Sequence, residues 1–402
     1  MAVVTKQILS QKVLNMKESA TLKMARMARE LAAEGHHVIS LSLGEPDFDT
    51  PDHIKEAAKQ ALDDGYTKYT PVPGLPVLRE AIVRKFKRDN NLEFDTNQIV
   101  VSTGAKQSIA NLCMAMLDPG DEVILFAPYW VSYEAIVKLN GGVVVPVAAG
   151  IDQDYKVTAD QVAAAITDRT KMIIFSSPCN PSGSVYTQEE LEAIAAVVAP
   201  HEHVYVVSDE IYEYINFTGQ HVSMGTIPSI KDRVITVNGF AKGYAMTGWR
   251  LGYIGAPAFI AAACAKLQGQ FTSGANAFAQ KAAVHALDAD LGPTYAMRDA
   301  FKGRRQVIID GLEAIPGMQV NRPQGAFYIF PDITAYYGKS AAGITIESDA
   351  DFCEYLLRHA YVATVAGGAF GIPGCIRISY AASEETLKEA ISRIAKAVDQ
   401  LQ

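Results

Sequence analysis

Between Pro51 and Val237, short apolar runs bounded by turn residues alternate with longer stretches of helical spacing. Runs at 99–101, 122–126, 143–147, 172–175, 204–207 and 234–237 read as strands. Stretches at 54–63, 76–89, 105–117, 129–139 and 188–198 read as helices. Strands alternating with helices predict an α/β architecture, a mainly parallel sheet covered on both faces. After Gly292 the texture changes to a long helix over 295–315, apolar runs at 317–320, 326–330 and 375–380, a helix near 351–359 and a closing helix over 383–401. This second region reads as a smaller α+β domain. Upstream, 21–34 reads as a helix ending at Gly35, and 38–43 as a strand expected to join that smaller domain. The expected division is an N-terminal arm at 1–20, a small domain of 21–50 plus 300–402, and a large domain at 51–299.

A length of 402 residues exceeds one ordinary core, in keeping with two domains. An apolar share of 49% with 20% charged residues describes a soluble globular protein. The net charge of -8 argues against nucleic acid or an anionic membrane as partner, though a local basic pocket remains compatible with it. The five cysteines, Cys113, Cys179, Cys264, Cys353 and Cys375, form no zinc or redox spacing and read as buried small hydrophobes in a reducing compartment. No signal-peptide core opens the chain and no apolar stretch is long enough to span a bilayer, so a cytoplasmic protein is expected.

Several loops carry chemistry-bearing residues. Lys242 follows the apolar run Val234-Ile235-Thr236-Val237, among small residues, with Arg250 eight positions downstream. A partly desolvated amine loses its proton more readily, and a Schiff base needs the neutral amine. The plain alternative is a solvated surface lysine. Val101-Ser102-Thr103-Gly104-Ala105-Lys106-Gln107 joins a strand to a helix through small residues, which lets backbone amides and a helix N-terminus face an anion. It matches neither GxGxxG nor a Walker A loop, which disfavours nucleotides and a nicotinamide dehydrogenase. Two prolines and a glycine hold one loop shape around Asn180, whose amide suits a ring oxygen or merely closes a turn. Asp209 stands where a strand gives way to a loop; it suits a protonated ring nitrogen, or a helix N-cap. Tyr212 could reach the same ring. Arg250 and Arg377 are forks for phosphate and carboxylate, or halves of structural ion pairs. His201 and His203 sit in a Pro-His-Glu-His turn that reads as solvated, against a metal hydrolase.

Taken in order, from Leu43-Gly44-Glu45-Pro46-Asp47-Phe48 to Arg377-Ile378-Ser379-Tyr380, the set resembles the class I, fold-type I pyridoxal-phosphate aminotransferases. It is similar to bacterial aspartate aminotransferases of the subgroup without a distal-carboxylate arginine. The resemblance implies a seven-stranded sheet, pyridoxal 5'-phosphate as cofactor, amino-acid and 2-oxo-acid substrates, and a homodimer with shared sites. It implies Lys242 as the Schiff-base lysine, Asp209 on the pyridinium nitrogen, and Asn180 and Tyr212 on the phenolate oxygen. Gly104, Ala105, Lys106 and Arg250 would hold the phosphate, with Tyr69 reaching the neighbouring subunit's phosphate. Trp130 would stack on the ring, and Arg377 would clamp the α-carboxylate near Gly44. No arginine occurs at 268–274, so Lys106, with Thr21 and Lys17, would read the distal carboxylate. The family's phosphate serine is Gly239 here. Aspartate and glutamate come first as substrates; prephenate, aromatic or neutral amino acids, a lyase on the same scaffold, and a non-catalytic binding protein are the alternatives.

Overall fold

The structure, a computed structural model, describes residues 8–16 and 18–402. Residues 1–7 of the expected arm, and Lys17, lie outside the described residues. The helix Ala20–Ala33 buries Met24, Ala25 and Ala28 along one face, the stripe that helical spacing requires. It leads to β1, Ile39–Ser40, which pairs in parallel with Val362–Ala363. β1 is shorter than the expected run over 38–43. Past Ser40 the backbone finds other partners: the Leu41 carbonyl accepts from the Ser379 amide at 2.9 Å, and the Ser42 carbonyl from the Arg377 guanidinium at 2.5 Å.

Seven strands then build one sheet: β2 (Ile99–Ser102), β3 (Glu122–Ala127), β4 (Val143–Ala148), β5 (Thr170–Ser176), β6 (Tyr205–Asp209), β7 (Val234–Gly239) and β8 (Gly252–Gly255). Their order is β2-β8-β7-β6-β5-β3-β4. All neighbours are parallel except at β8, which runs antiparallel to both β7 and β2. β2, β3 and β7 are buried along their whole length, as expected of strands covered by helices on both faces. β4 is the exposed edge and carries Pro146, which has no amide to offer a further strand.

β8 is missing from the elements expected above. Two glycines bracket only two apolar residues there, too little for a periodic signal. The helices Ala258–Phe271 and Ala277–Asp288 also escape the pattern, because alanine-rich stretches have little contrast between faces. The helix expected over 129–139 begins at Ser132, and the Tyr129 amide instead donates to the Phe370 carbonyl at 3.0 Å.

Near the C-terminus, Val365–Ala366, Ile376–Ser379 and Tyr328–Ile329 form an antiparallel sheet, with Ile376–Ser379 in the middle. The helices Gly292–Glu313 and Glu384–Asp399 bury Ile308, Ile309, Leu312, Leu387, Ala390 and Ile394 in one hydrophobic cluster with it. Tyr212, Ile215 and Ala245, from loops beyond β6 and β7, belong to the same cluster. The C-terminal ends of the parallel strands therefore face this layer, and open α/β sheets place ligands beyond such ends.

β8 also carries the turn between β2 and the next helix. A methyl at Gly252 would fall on the Ala105 amide and lie 2.6 Å from the Gly104 carbonyl carbon. Gly252→Ala is expected to cost about 1–3 kcal/mol, the range for overpacking a dense interior, and to lower the thermal unfolding midpoint. An unchanged midpoint would show that the turn retreats freely.

Candidate active site

A cavity of about 520 Å³ opens where β2, β5, β6 and β7 end. Every residue nominated above and described by the structure lines it, except Tyr69. Tyr69 is 99% exposed and stands away from the cavity.

One end of the cavity is built to hold an anion. Gly104, with φ +85°, turns the chain from β2 into the helix Ala105–Met116, whose first amides are left without intrahelical partners. A side chain at position 104 would come within 2.6 Å of Arg250 Nη2, so glycine is what lets the guanidinium close on the turn. Arg250 Nη1 donates to the Thr247 carbonyl at 2.9 Å, and Thr247 Oγ1 donates to Glu45 Oε2 at 3.0 Å. Gly239 does not line the cavity. It is buried in the β7–β8 ladder opposite Gly252, where a side chain would meet Gly252 Cα and the Leu251 carbonyl at 2.9 Å. The strand pair leaves no room for a serine there.

The floor carries ionisable groups. Lys242 Nζ donates to the Gly44 carbonyl and lies over the rings of Tyr212 (5.7 Å) and Phe327 (5.8 Å). Burial, aided by the nearby positive charges of Arg377 and Arg250, brings its ammonium down from 10.5 to about 8. Asp209 is buried at the end of β6. Burial pushes its carboxyl up to about 6, against hydrogen bonds from Tyr133 Oη (2.6 Å) and the Ile211 amide (3.2 Å). Tyr212 Oη shares a hydrogen bond with Tyr328 Oη at 2.8 Å.

At the other end, Arg377 is 2% exposed. It is sandwiched between the rings of Tyr328 (4.7 Å) and Phe370 (5.0 Å). Its Nη1 donates to Asn180 Oδ1 at 3.1 Å, and its Nη2 to the Ser42 carbonyl, while its Nε has no partner. Lys106 Nζ lies 4.9 Å from the Trp130 ring centroid, and burial together with Arg250 lowers its pKa. Thr21 Oγ1 is likewise buried without a partner, and Thr21 and Ser176 both line the cavity.

Buried groups without partners are costly, so these orphans mark places for a polar ligand. Helix amides, a guanidinium, a buried carboxylate, a lysine of depressed pKa and an indole together fit a phosphorylated aromatic aldehyde. Sequence reasoning passed over Tyr133, Tyr328, Ser176, Glu45 and Thr247. Tyr133 and Tyr328 sit in stretches that read as ordinary core, and only the fold brings them against Asp209 and Tyr212. Among the described residues no helix is long and apolar enough to cross a membrane. The five cysteines are free and buried.

The family model described as aminotransferase class I and II matches residues 36–394. The chain is 45% identical over 391 residues to an aspartate/prephenate aminotransferase of Nitrosomonas europaea, an alignment covering 96% of this chain and 98% of that one. Its structure matches that of the aspartate aminotransferase from Rhizobium meliloti with a TM-score of 0.95 and 43% identity, over 98% of this chain and 99% of that one. The Thermus thermophilus aspartate aminotransferase with maleate gives a TM-score of 0.91 at 42% identity, over 97% and 99% of the two chains.

The Asp209 environment yields a pH prediction. Its folded pKa lies above the ordinary 3.8, so protonation favours the fold. Stability of the cofactor-free protein should fall as the pH rises from about 4 through about 6. Asp209→Asn should flatten that segment of the stability curve and raise the melting midpoint at pH 7. A variant curve parallel to the parent's would show that Asp209 is not the group that titrates.

Proposed function

The chain belongs to the class I and II aminotransferase family, with its type I fold, and on that premise we propose that it moves an amino group from aspartate or glutamate to a 2-oxo acid, using pyridoxal 5'-phosphate. The observation that carries this reading is the meeting of three groups in one cavity: an amine of lowered pKa, a buried carboxylate and a guanidinium with an unpartnered Nε.

Pyridoxal 5'-phosphate, when bound, supplies the electron sink for breaking the bond to the α-hydrogen. The chain's residues bind, orient and shuttle protons. The Gly104–Lys106 amides and Arg250 would take the phosphate, a dianion suited to a helix N-terminus and a guanidinium. Asp209 would pair with the ring nitrogen; a cation there would draw its carboxyl back towards full ionisation. Asn180 and Tyr212 would hydrogen-bond the ring oxygen, and Trp130 would cover the ring. Arg377 would clamp the α-carboxylate, with the Gly44 carbonyl close by. Lys242 Nζ would be presented to the aldehyde and, as a free amine, would hold and move the α-proton. A lysine near pH 8 has a useful neutral fraction at neutral pH, which one at 10.5 lacks.

Lys106 and Thr21 would read the distal carboxylate, since no arginine lies at 268–274. Maleate, bound by the Thermus thermophilus neighbour, is itself a dicarboxylate. Prephenate, named for the Nitrosomonas europaea relative, is a second acceptor that this cavity favours, because Leu22 and Leu43 line it together with Lys106. A homodimer is supported by Tyr69, whose wholly exposed ring is free to complete a second copy's phosphate site. Five free thiols suit the reducing cytoplasm.

Purified protein with added cofactor should convert aspartate and 2-oxoglutarate to oxaloacetate and glutamate without ammonia. Ammonia release would make it a lyase instead. Lys106→Ser should raise KM for aspartate by about tenfold, the size of one charge-assisted contact, and leave KM for a neutral donor within about twofold. Equal effects on both donors would remove Lys106 from distal recognition.

A further inference from the structure

Asp209 and Tyr212 lie on one short turn, and the residues after each, Glu210 and Glu213, are buried at 1% and 6% exposure outside the cavity. Glu213 pairs with the Lys85 ammonium. Lys85 Nζ also donates to Asn90 Oδ1 at 2.6 Å, and Asn90 Nδ2 donates to Glu213 Oε2 at 2.7 Å. Glu210 accepts from Ser208 Oγ (2.9 Å), Ser223 Oγ (2.6 Å) and His221 Nε2 (2.9 Å). Asn90 Nδ2, 3.4 Å from Glu210 Oε2, joins the two halves. Lys85 and Asn90 come from the helix Pro76–Asn90, so an element remote in sequence grips the back of the turn.

Two carboxylates and one ammonium leave one negative charge. His221 is faced by Glu210, Glu213 and Lys85, and the pull of the carboxylates raises its pKa in spite of burial. Protonated, it balances the group. Glu210, Glu213 and His221 could in isolation ligate a metal ion, but the Lys85 ammonium already pairs with Glu213 as the resident cation. Buried ion pairs add little net stability, since desolvation offsets their attraction; an apolar filling would be as stable. What such a network provides is one fixed geometry for the backbone that carries it.

We propose that Lys85, Asn90, Ser223 and His221 are positioning residues: by clamping Glu210 and Glu213 they fix Asp209 and Tyr212 against the cofactor ring. This rests on the functional reading above. The test uses the whole protein and pyridoxal 5'-phosphate, with His221→Phe, His221→Gln and Ser223→Ala. Cofactor affinity is read by equilibrium dialysis, and the pH midpoint of the bound cofactor's absorbance by titration. His221→Phe should weaken cofactor binding by about tenfold, as loss of one charge-assisted hydrogen bond would, and shift the absorbance midpoint, while KM for aspartate stays within about twofold. His221→Gln should recover part of the affinity. Affinity and midpoint equal to the parent's, with only the melting temperature lowered, would reduce the network to a structural role and overturn the proposal. If His221→Phe does not fold, Ser223→Ala decides by the same readings. A parent protein that bound no cofactor would overturn the functional reading as well.

Discussion

A half-buried ammonium next to two guanidiniums is an expensive arrangement, and Lys242 is in that position. Desolvation disfavours its charged form, and Arg377 and Arg250 add to the effect. The nearby carboxylates, Glu45 and Asp209, act in the opposite sense and keep the shift moderate. The surrounding architecture serves this balance. Lys242 follows the C-terminal end of β7, the segment after β1 brings the Gly44 carbonyl to its Nζ, and the Ile376–Ser379 strand presents Arg377 from the opposite layer.

That opposition of layers also explains the division of labour in the cavity. The C-terminal ends of the sheet strands supply groups that suit a ring and its phosphate. The C-terminal layer supplies the guanidinium that suits a carboxylate, locked between Tyr328 and Phe370 and tied to Asn180 and Ser42.

Much of this was legible in the chain itself, for identifiable reasons. Six of the seven sheet strands announce themselves as apolar runs, five because they are covered on both faces and the exposed edge β4 through its row of valines. β8 does not, because Gly252-Tyr253-Ile254-Gly255 is short and its glycines serve close packing against the Ala105 turn. Residues on glycine-rich or proline-rich loops after strands, such as Gly104, Asn180, Asp209 and Lys242, stand out because a polar side chain following an apolar run has few structural excuses. Tyr133 and Tyr328 have such excuses, since aromatic residues in apolar surroundings are ordinary core. Their hydrogen bonds to Asp209 and Tyr212 span 76 and 116 residues, a distance that local pattern cannot bridge. The same holds for Lys85 and His221, whose partners come from separate elements. Gly239 looked like a loss of a phosphate contact; the β7–β8 ladder shows that a side chain has no room there.

The account turns on Lys242 being the amine that meets the cofactor. The most direct measurement is borohydride reduction of the protein loaded with pyridoxal 5'-phosphate, followed by peptide mapping. A single reduced adduct on the peptide containing Lys242 is the predicted result. An adduct on another lysine, or none, would contradict the account.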